Sequence, residues 1–332
     1  MQKETITLKP ITLKTITPMF LAGADGKTPE LRPPSLKGAL RFWWRAMNGH
    51  LSLEKLKEKE GKIFGNTERR SRVVIRIKKA GLEPNDTSES KEDFIIKSDR
   101  VGKYKVPAID YLAYGLEEQG GARGLERDYI VRNKSFELNL RASDKEVENE
   151  VLKALYALAR FGGLGANSRN GFGSFVIENT NFEEVYNFEG RSLASYTAFS
   201  KDSLLFKTDF CSTPTKAMSL LGMAYHHAKS ALKKSEKQYI ALPMKGADKE
   251  LSKLPRHAKP YFLNVREIKK SGNTSYQGQI LFLPYNYLQD YRTKSGETIK
   301  NLEDRQEGYK GATKAFNDKL SEKMTKCSTL NP

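Results

Sequence analysis

Between Glu30 and Ala46 the chain reads ELRPPSLKGALRFWWRA, gathering Arg32, Lys37, Arg41 and Arg45 around two adjacent tryptophans with no acid after Glu30. Cations four residues apart share one side of a helix. A tryptophan beside them offers a flat face for a base or a cation. On a helical wheel Leu36, Leu40, Trp43, Met47 and Leu51 share the apolar face. Lys37, Arg41, Arg45 and Asn48 form the neighbouring stripe, and Trp44 falls on the seam beside Lys37. The spacing therefore predicts a buried Trp43 and places Trp44 at the border of a basic surface; partial burial against its own domain is the plainer alternative. Ser35 is the expected N-cap of a helix running from about Leu36 to Gly49. Its free amides and positive dipole end, flanked by Arg32 and Lys37, favour a phosphate.

A second concentration of polar chemistry is the glycine-rich GGLGANSRNGFG, residues 162–173. A dinucleotide fingerprint follows a strand and opens a helix, whereas here a helix precedes and a strand follows. No GK[ST] is present, so nucleotide hydrolysis has no support. A loop bearing Asn167, Arg169 and Asn170 can still bring backbone amides and one charge to a phosphate chain; its alternative is a long turn whose glycines supply positive φ. The segment TERRSRVVIRIKK adds Arg69, Arg70, Arg72, Arg76, Lys78 and Lys79 against Glu68. Such a run is often only a solvated strand edge.

Catalytic groups are sparse. The histidines are His50, His226, His227 and His257. The adjacent pair points apart on a helix and makes a poor metal site. His257 lies in LPRHAKPYFL beside Arg256 and Lys259. A histidine among cations suits an acid–base step on RNA, but equally a structural role or phosphate binding, and no partner group is evident. Neither paired carboxylates nor a nucleophile elbow is present. The motifs call for no metal and no cofactor.

The elements that must position these residues follow from pattern and length. The 332 residues exceed what one compact core usually serves, so two domains are expected. Net charge is +17, from 57 Lys and Arg against 40 Asp and Glu, which suits a polyanionic partner. Cys211 and Cys327 are too far apart for a CxxC pair, and so few cysteines fit a reducing, cytoplasmic setting. No apolar run approaches a bilayer span, and the polar, alternating start is not a signal peptide. Alternation predicts strands at Thr5–Thr17, Ser71–Lys79, Ser135–Ala142 and SFVIEN, residues 174–179. Helical patterns follow the first strand and, capped by Ser143, the third.

That order is the split βαβ of a ferredoxin-like or RRM-like sheet. It places one domain at residues 1–190, with a partly mobile insertion at about 80–134. Residues 191–332 partly repeat it, with strand SLLFKTDF, a helix from Thr213 or Pro214 to Ala231, strands YFLNVREIKK and YQGQILFLP, and a helix in GATKAFNDKLSEKM. The fold class is therefore α+β, two tandem ferredoxin-like domains. The second lacks a visible fourth strand, so it is incomplete or closed in some other way.

TPMFLAGADGKTPELRPPSLKGALRFWWRA resembles the RAMP superfamily, within it the first-subunit family of the Cmr complex of type III-B CRISPR effectors. RAMP proteins carry a PxSxLKGxLR-like first helix, of which PPSLKGALR lacks one residue between Ser35 and Leu36. They also carry a late glycine-rich loop, matched by GGLGANSRNGFGSF; IFGNTERRSRV and LPRHAKPYFLNV are similar to that family too. The resemblance covers both halves in patches, with little in 80–134 or the last forty or so residues. It implies an RNA-binding subunit of an antiviral ribonucleoprotein that binds near the guide's 3′ region and does not cut. The implied partners are CRISPR RNA, target RNA or both, and other RAMP subunits. Carried over, Arg32, Lys37, Arg41, Trp44, Arg45, Asn167, Arg169, Arg256 and His257 line or shape an RNA groove, and Arg69, Arg70, Asn170 and Lys259 join them as RNA-binding candidates. The alternatives are a metal-independent CRISPR RNA-processing endoribonuclease using His257, since RAMP relatives with that activity share the fold, and a protein-binding scaffold.

Overall fold

The computed structural model describes residues 6–79, 99–103, 105–116, 128–178, 188–241, 254, 257, 259–289 and 291–330. The opening alternation forms one broken edge, β1 (Ile6–Thr7) and β2 (Ile11–Thr15), interrupted at Pro10, which has no N–H for a ladder. Both lie along one side of β6 (Ser135–Ala142); β3 (Val73–Lys79) pairs with its other side, and β7 (Phe175–Ile177) pairs with β2. All these pairings are antiparallel. With β1 and β2 taken as one strand, the order is fourth–first–third–second, the ferredoxin-like arrangement.

Helix α1 (Pro33–Met47) begins earlier than the Ser35 cap implies. Arg32 is its N-cap, and Pro33 and Pro34 occupy its first turn, where a fixed φ and a missing N–H are tolerated. The prolines thereby remove two of the amides that a phosphate would use, so the expected anion site at this helix start is not built. A second helix, α2 (Leu53–Phe64), follows, capped by Ser52. It has no counterpart in the expected element order.

Within the expected insertion the chain forms β4 (Arg100–Val101), β5 (Val106–Pro107) and α3 (Ala108–Ala113). Ile109, Leu112 and Ala113 are buried. Ile130 is buried too and exchanges backbone hydrogen bonds with Met19. The end of the insertion thus belongs to the core. Residues 80–98, 104 and 117–127 of that stretch lie outside the described residues.

Helix α4 (Lys145–Phe161) is capped by Asp144, whose carboxylate accepts from the Val147 N–H at 3.1 Å, while Ser143 donates to that carboxylate. The second half runs β8 (Leu204–Cys211), α5 (Pro214–Ala231), α6 (Lys234–Ile240), β9 (Tyr261–Lys270), β10 (Asn273–Phe282), α7 (Leu302–Ser321) and β11 (Thr325–Lys326). The sheet order β11–β8–β10–β9 repeats that of the first sheet. β11 is the fourth strand that the sequence conceals: two residues pairing with Lys207 and Phe206 are too few to show alternation. Among the described residues no helix is long and apolar enough to cross a membrane.

The two sheets do not stand apart. Phe262, Leu281 and Leu283 join one core with Trp43, Leu158 and Phe161. The side of the second sheet turned away from α5 and α7 is therefore spent on the first domain, and the equivalent face, which an RRM offers to bases, is closed. At its centre Asn264 is fully buried. Its amide donates to the Gly162 carbonyl at 2.5 Å and to Ser174 Oγ at 3.3 Å, and the Val265 N–H also donates to Ser174 Oγ, at 3.1 Å. Lys14 and Glu267 pair at 2.8 Å nearby.

Both tryptophans lie on α1, so indole fluorescence reports on the first domain. Asn264→Ala, a change in the second, should lower the tryptophan-detected urea midpoint, with a loss of about 1–3 kcal/mol from unpaired buried groups. An unchanged midpoint would mean that the domains unfold independently.

Candidate nucleic-acid interface

The α1 stripe divides in the folded chain. Arg41 Nη1 pairs with Glu60 Oε1 of α2 at 3.0 Å, and its Nη2 donates to the carbonyls of Phe64, at 2.9 Å, and Gly65. Arg45 lies 3.6 Å from Glu60 Oε2. Glu60 is buried, so two cations of the stripe are engaged by one enclosed carboxylate and tie α2 to α1. Lys37, one turn earlier, is half-buried and forms no ion pair among the described residues. Burial, and after it the Arg41 charge, push its amine below the usual lysine value. Arg32 is half-buried at the helix start, with no side-chain cap bond.

Trp44 is not at a border. It is 1% exposed, and its indole Nε1 donates to Glu150 Oε2 of α4 at 2.7 Å. An indole fully inside its own domain offers no stacking platform, so the expected exposed Trp44 is corrected. The wheel errs because α2 and α4 both reach the seam: Phe64 meets the ring edge-on at 6.4 Å. Trp43 is buried as expected, packed against Phe262 and Phe161.

The glycine loop is wedged between the halves. Gly173 has φ +67°, and a Cβ there would collide with the Leu164 carbonyl, so only glycine fits. Asn167 donates through Nδ2 to the Leu112 and Tyr114 carbonyls at 3.3 and 3.2 Å, and Asn170 to Leu112 at 2.8 Å. These amides hold α3 against the loop. Arg169 lies over the Phe262 ring at 4.4 Å and the Phe42 ring at 5.2 Å, and its Nη1 donates to the Lys259 carbonyl at 2.6 Å. Burial pushes its guanidinium down to about 10. The fold has thus joined Arg169 and Lys259, far apart in sequence, at the domain seam.

Lys259 is half-buried, its Nζ 4.1 Å above the Tyr225 ring. Burial first, then the charges of Lys229 and Arg169, push its amine well down. Lys229 and Tyr225 did not stand out in the sequence, since one lysine and one tyrosine a turn apart on a helix carry no local signal. His257 is 3% exposed. Tyr285 OH lies 3.2 Å from its Nδ1, and Tyr287 OH and the Gln238 carbonyl lie 2.9 and 3.2 Å from its Nε2. Walled in by tyrosines, that ring cannot meet an RNA backbone, and its expected place in the groove is corrected. Arg69 and Arg70 are exposed in the turn between α2 and β3, without ion pairs among the described residues. Arg256 lies outside the described residues.

Because Arg41 clamps α2, Arg41→Glu should remove the clamp and set a second acid against Glu60. The loss is about 3–5 kcal/mol, as for a broken buried pair, measured by chemical denaturation. Arg70→Glu should change stability by no more than about 0.5 kcal/mol.

Residues 12–176 match the RAMP superfamily model. A curated relative, CRISPR system Cmr subunit Cmr1-2 of Pyrococcus furiosus, is 29% identical over 181 residues, 50% of this chain and 92% of that protein. The crystal structure of Cmr1 from Pyrococcus furiosus, apo form, superposes with a TM-score of 0.57 at 20% identity, covering 96% of this chain and 97% of that one. A chain in a cryo-EM structure of the type III-B Cmr-beta bound to cognate target RNA gives 0.50 at 12% identity, covering 96% and 100%. At such identities the structural likeness is one of fold.

Proposed function

We propose that this chain, which belongs to the RAMP superfamily through residues 12–176, is a non-catalytic RNA-binding subunit of a type III-B Cmr effector. It engages guide or target RNA near the guide's 3′ region, beside other RAMP subunits, in the cytoplasm. The similarity to a Cmr subunit and the fold shared with Cmr1 support the assembly. The net charge of +17 supports a polyanionic ligand.

The observation that carries the reading is the sorting of the cations. Arg41 and Arg45 are engaged by Glu60, whereas Arg32, Lys37, Arg69 and Arg70 form no ion pair among the described residues. Charges without counter-ions inside the protein are the ones a phosphate backbone can neutralise, with release of counterions. With the second sheet's face closed and Trp44 buried, base stacking contributes little, and binding tolerates sequence. The enclosure of His257 supports binding without cleavage.

RNA affinity of the purified full chain, measured across a salt series, should fall steeply, each neutralised phosphate contributing about 0.7 to the slope of log K against log salt. Arg32→Glu with Lys37→Glu should lower affinity about tenfold and flatten that slope, and labelled repeat RNA should stay intact in EDTA. Salt-independent binding, or specific cleavage in EDTA, would contradict the proposal.

A further inference from the structure

Four cations meet at the seam between the domains. Arg169 comes from the glycine loop, Lys259 from the residue pair before β9, Lys229 from the last turn of α5, and Lys237 from α6. All are half-buried. Arg169 is fixed to Lys259 through its carbonyl at 2.6 Å, and the Lys259 amine stands 4.1 Å above Tyr225, one helical turn before Lys229. None of the four forms an ion pair among the described residues. Their charges lower one another instead: Lys229 and Arg169 act on Lys259, and Lys237 on Lys229.

Such a cluster costs folding energy, because burying like charges without counter-charge is unfavourable. The ring of Tyr225 and the negative end of the α5 dipole offset part of that cost for one amine. They do not neutralise four. Phe42 and Phe262 clasp the Arg169 guanidinium, leaving donors beyond the single bond to Lys259 with no partner among the described residues. A planar fork beside compact ammonium groups matches a tetrahedral oxyanion, which takes several charge-assisted bonds at once.

We infer that Arg169, Lys259, Lys229 and Lys237 form a pocket at the domain seam that takes one phosphate group. The owner of that phosphate rests on the RNA-binding reading: an internal phosphodiester or a terminal phosphomonoester of the bound strand. Because Arg169 also holds the loop against β9, the pocket couples the ligand to the seam itself.

The test uses the full chain and the double variant Lys229→Met with Lys259→Met. Inorganic phosphate, titrated at constant ionic strength, should raise the melting temperature of the parent saturably and leave that of the variant unmoved. Without phosphate the variant should melt at or above the parent temperature, since repelling charges are gone; a purely structural pair of lysines gives the opposite. Affinity for an RNA of about ten nucleotides, within the usual site size of such grooves, should fall about tenfold in the variant, and the salt slope by about 0.7.

If the variant melts lower, the Lys→Arg pair decides: restored phosphate binding supports the pocket, and its absence overturns it. Equal phosphate effects on parent and double variant would also overturn it. RNA binding that is strong and identical in both leaves the RNA reading standing and removes the pocket from it. Saturable phosphate binding by a parent that binds no RNA keeps the pocket and removes the RNA reading. Comparing RNA with and without a 3′-phosphate separates the two sources: a gain from the terminal phosphate assigns the pocket to a strand end, and no gain assigns it to the backbone.

Discussion

The buried amide of Asn264 is the constraint on which the rest depends. One donor group reaches the Gly162 carbonyl, at the end of α4, and the Ser174 hydroxyl, just before β7. Those two points bracket the glycine loop. A buried polar contact of this kind is worth little net energy when made and much when broken, so it fixes register more than it adds stability. With it in place, β9 runs beside the loop: the Leu263 N–H donates to the Arg169 carbonyl, and Asn170 bridges to Leu263. The two ferredoxin-like sheets become one body whose seam is lined by the loop, with α1 behind it.

That seam decides which charges are available. The basic stripe of α1 is not a uniform surface, because α2 folds back and offers Glu60 to Arg41 and Arg45. The closed face of the second sheet removes the surface through which an RRM reads bases. What is left for a polyanion is set by exclusion: Lys37 and Arg32 at the start of α1, the α2–β3 turn, and the cations gathered around Arg169 and Lys259. This is a phosphate-reading pattern, consistent with tolerance of sequence.

Strands with regular alternation were legible from sequence: β6 and β9 occupy the ranges that their patterns predict, Ser135–Ala142 and Tyr261–Lys270. Thr213 caps α5 as expected. The start of α1 was misread because proline was taken as punctuation when it was the first turn of the helix. β11 was invisible because two residues carry no period. α7 begins at Leu302, well before Gly311, because Gly308 and Gly311 interrupt its helical pattern; Gly308 lies under the Tyr239 ring. In the site, residue types were legible and partners were not. Trp44, Arg41 and His257 each have the composition of an RNA contact, and each is consumed by a group from another element: Glu150, Glu60 and a tyrosine cage. A one-dimensional pattern shows which side chains carry charge, whereas only packing shows which remain uncompensated.

The most direct test is a map of RNA–protein crosslinks on the full chain bound to RNA. Crosslinks should fall on Lys37, on the α2–β3 turn around Arg70, and on Lys229 and Lys259 at the seam. A map concentrated on Arg41 and Arg45, or on the outer face of the first sheet at Arg76 and Arg141, with the seam empty, would contradict the view that uncompensated cations define the RNA surface.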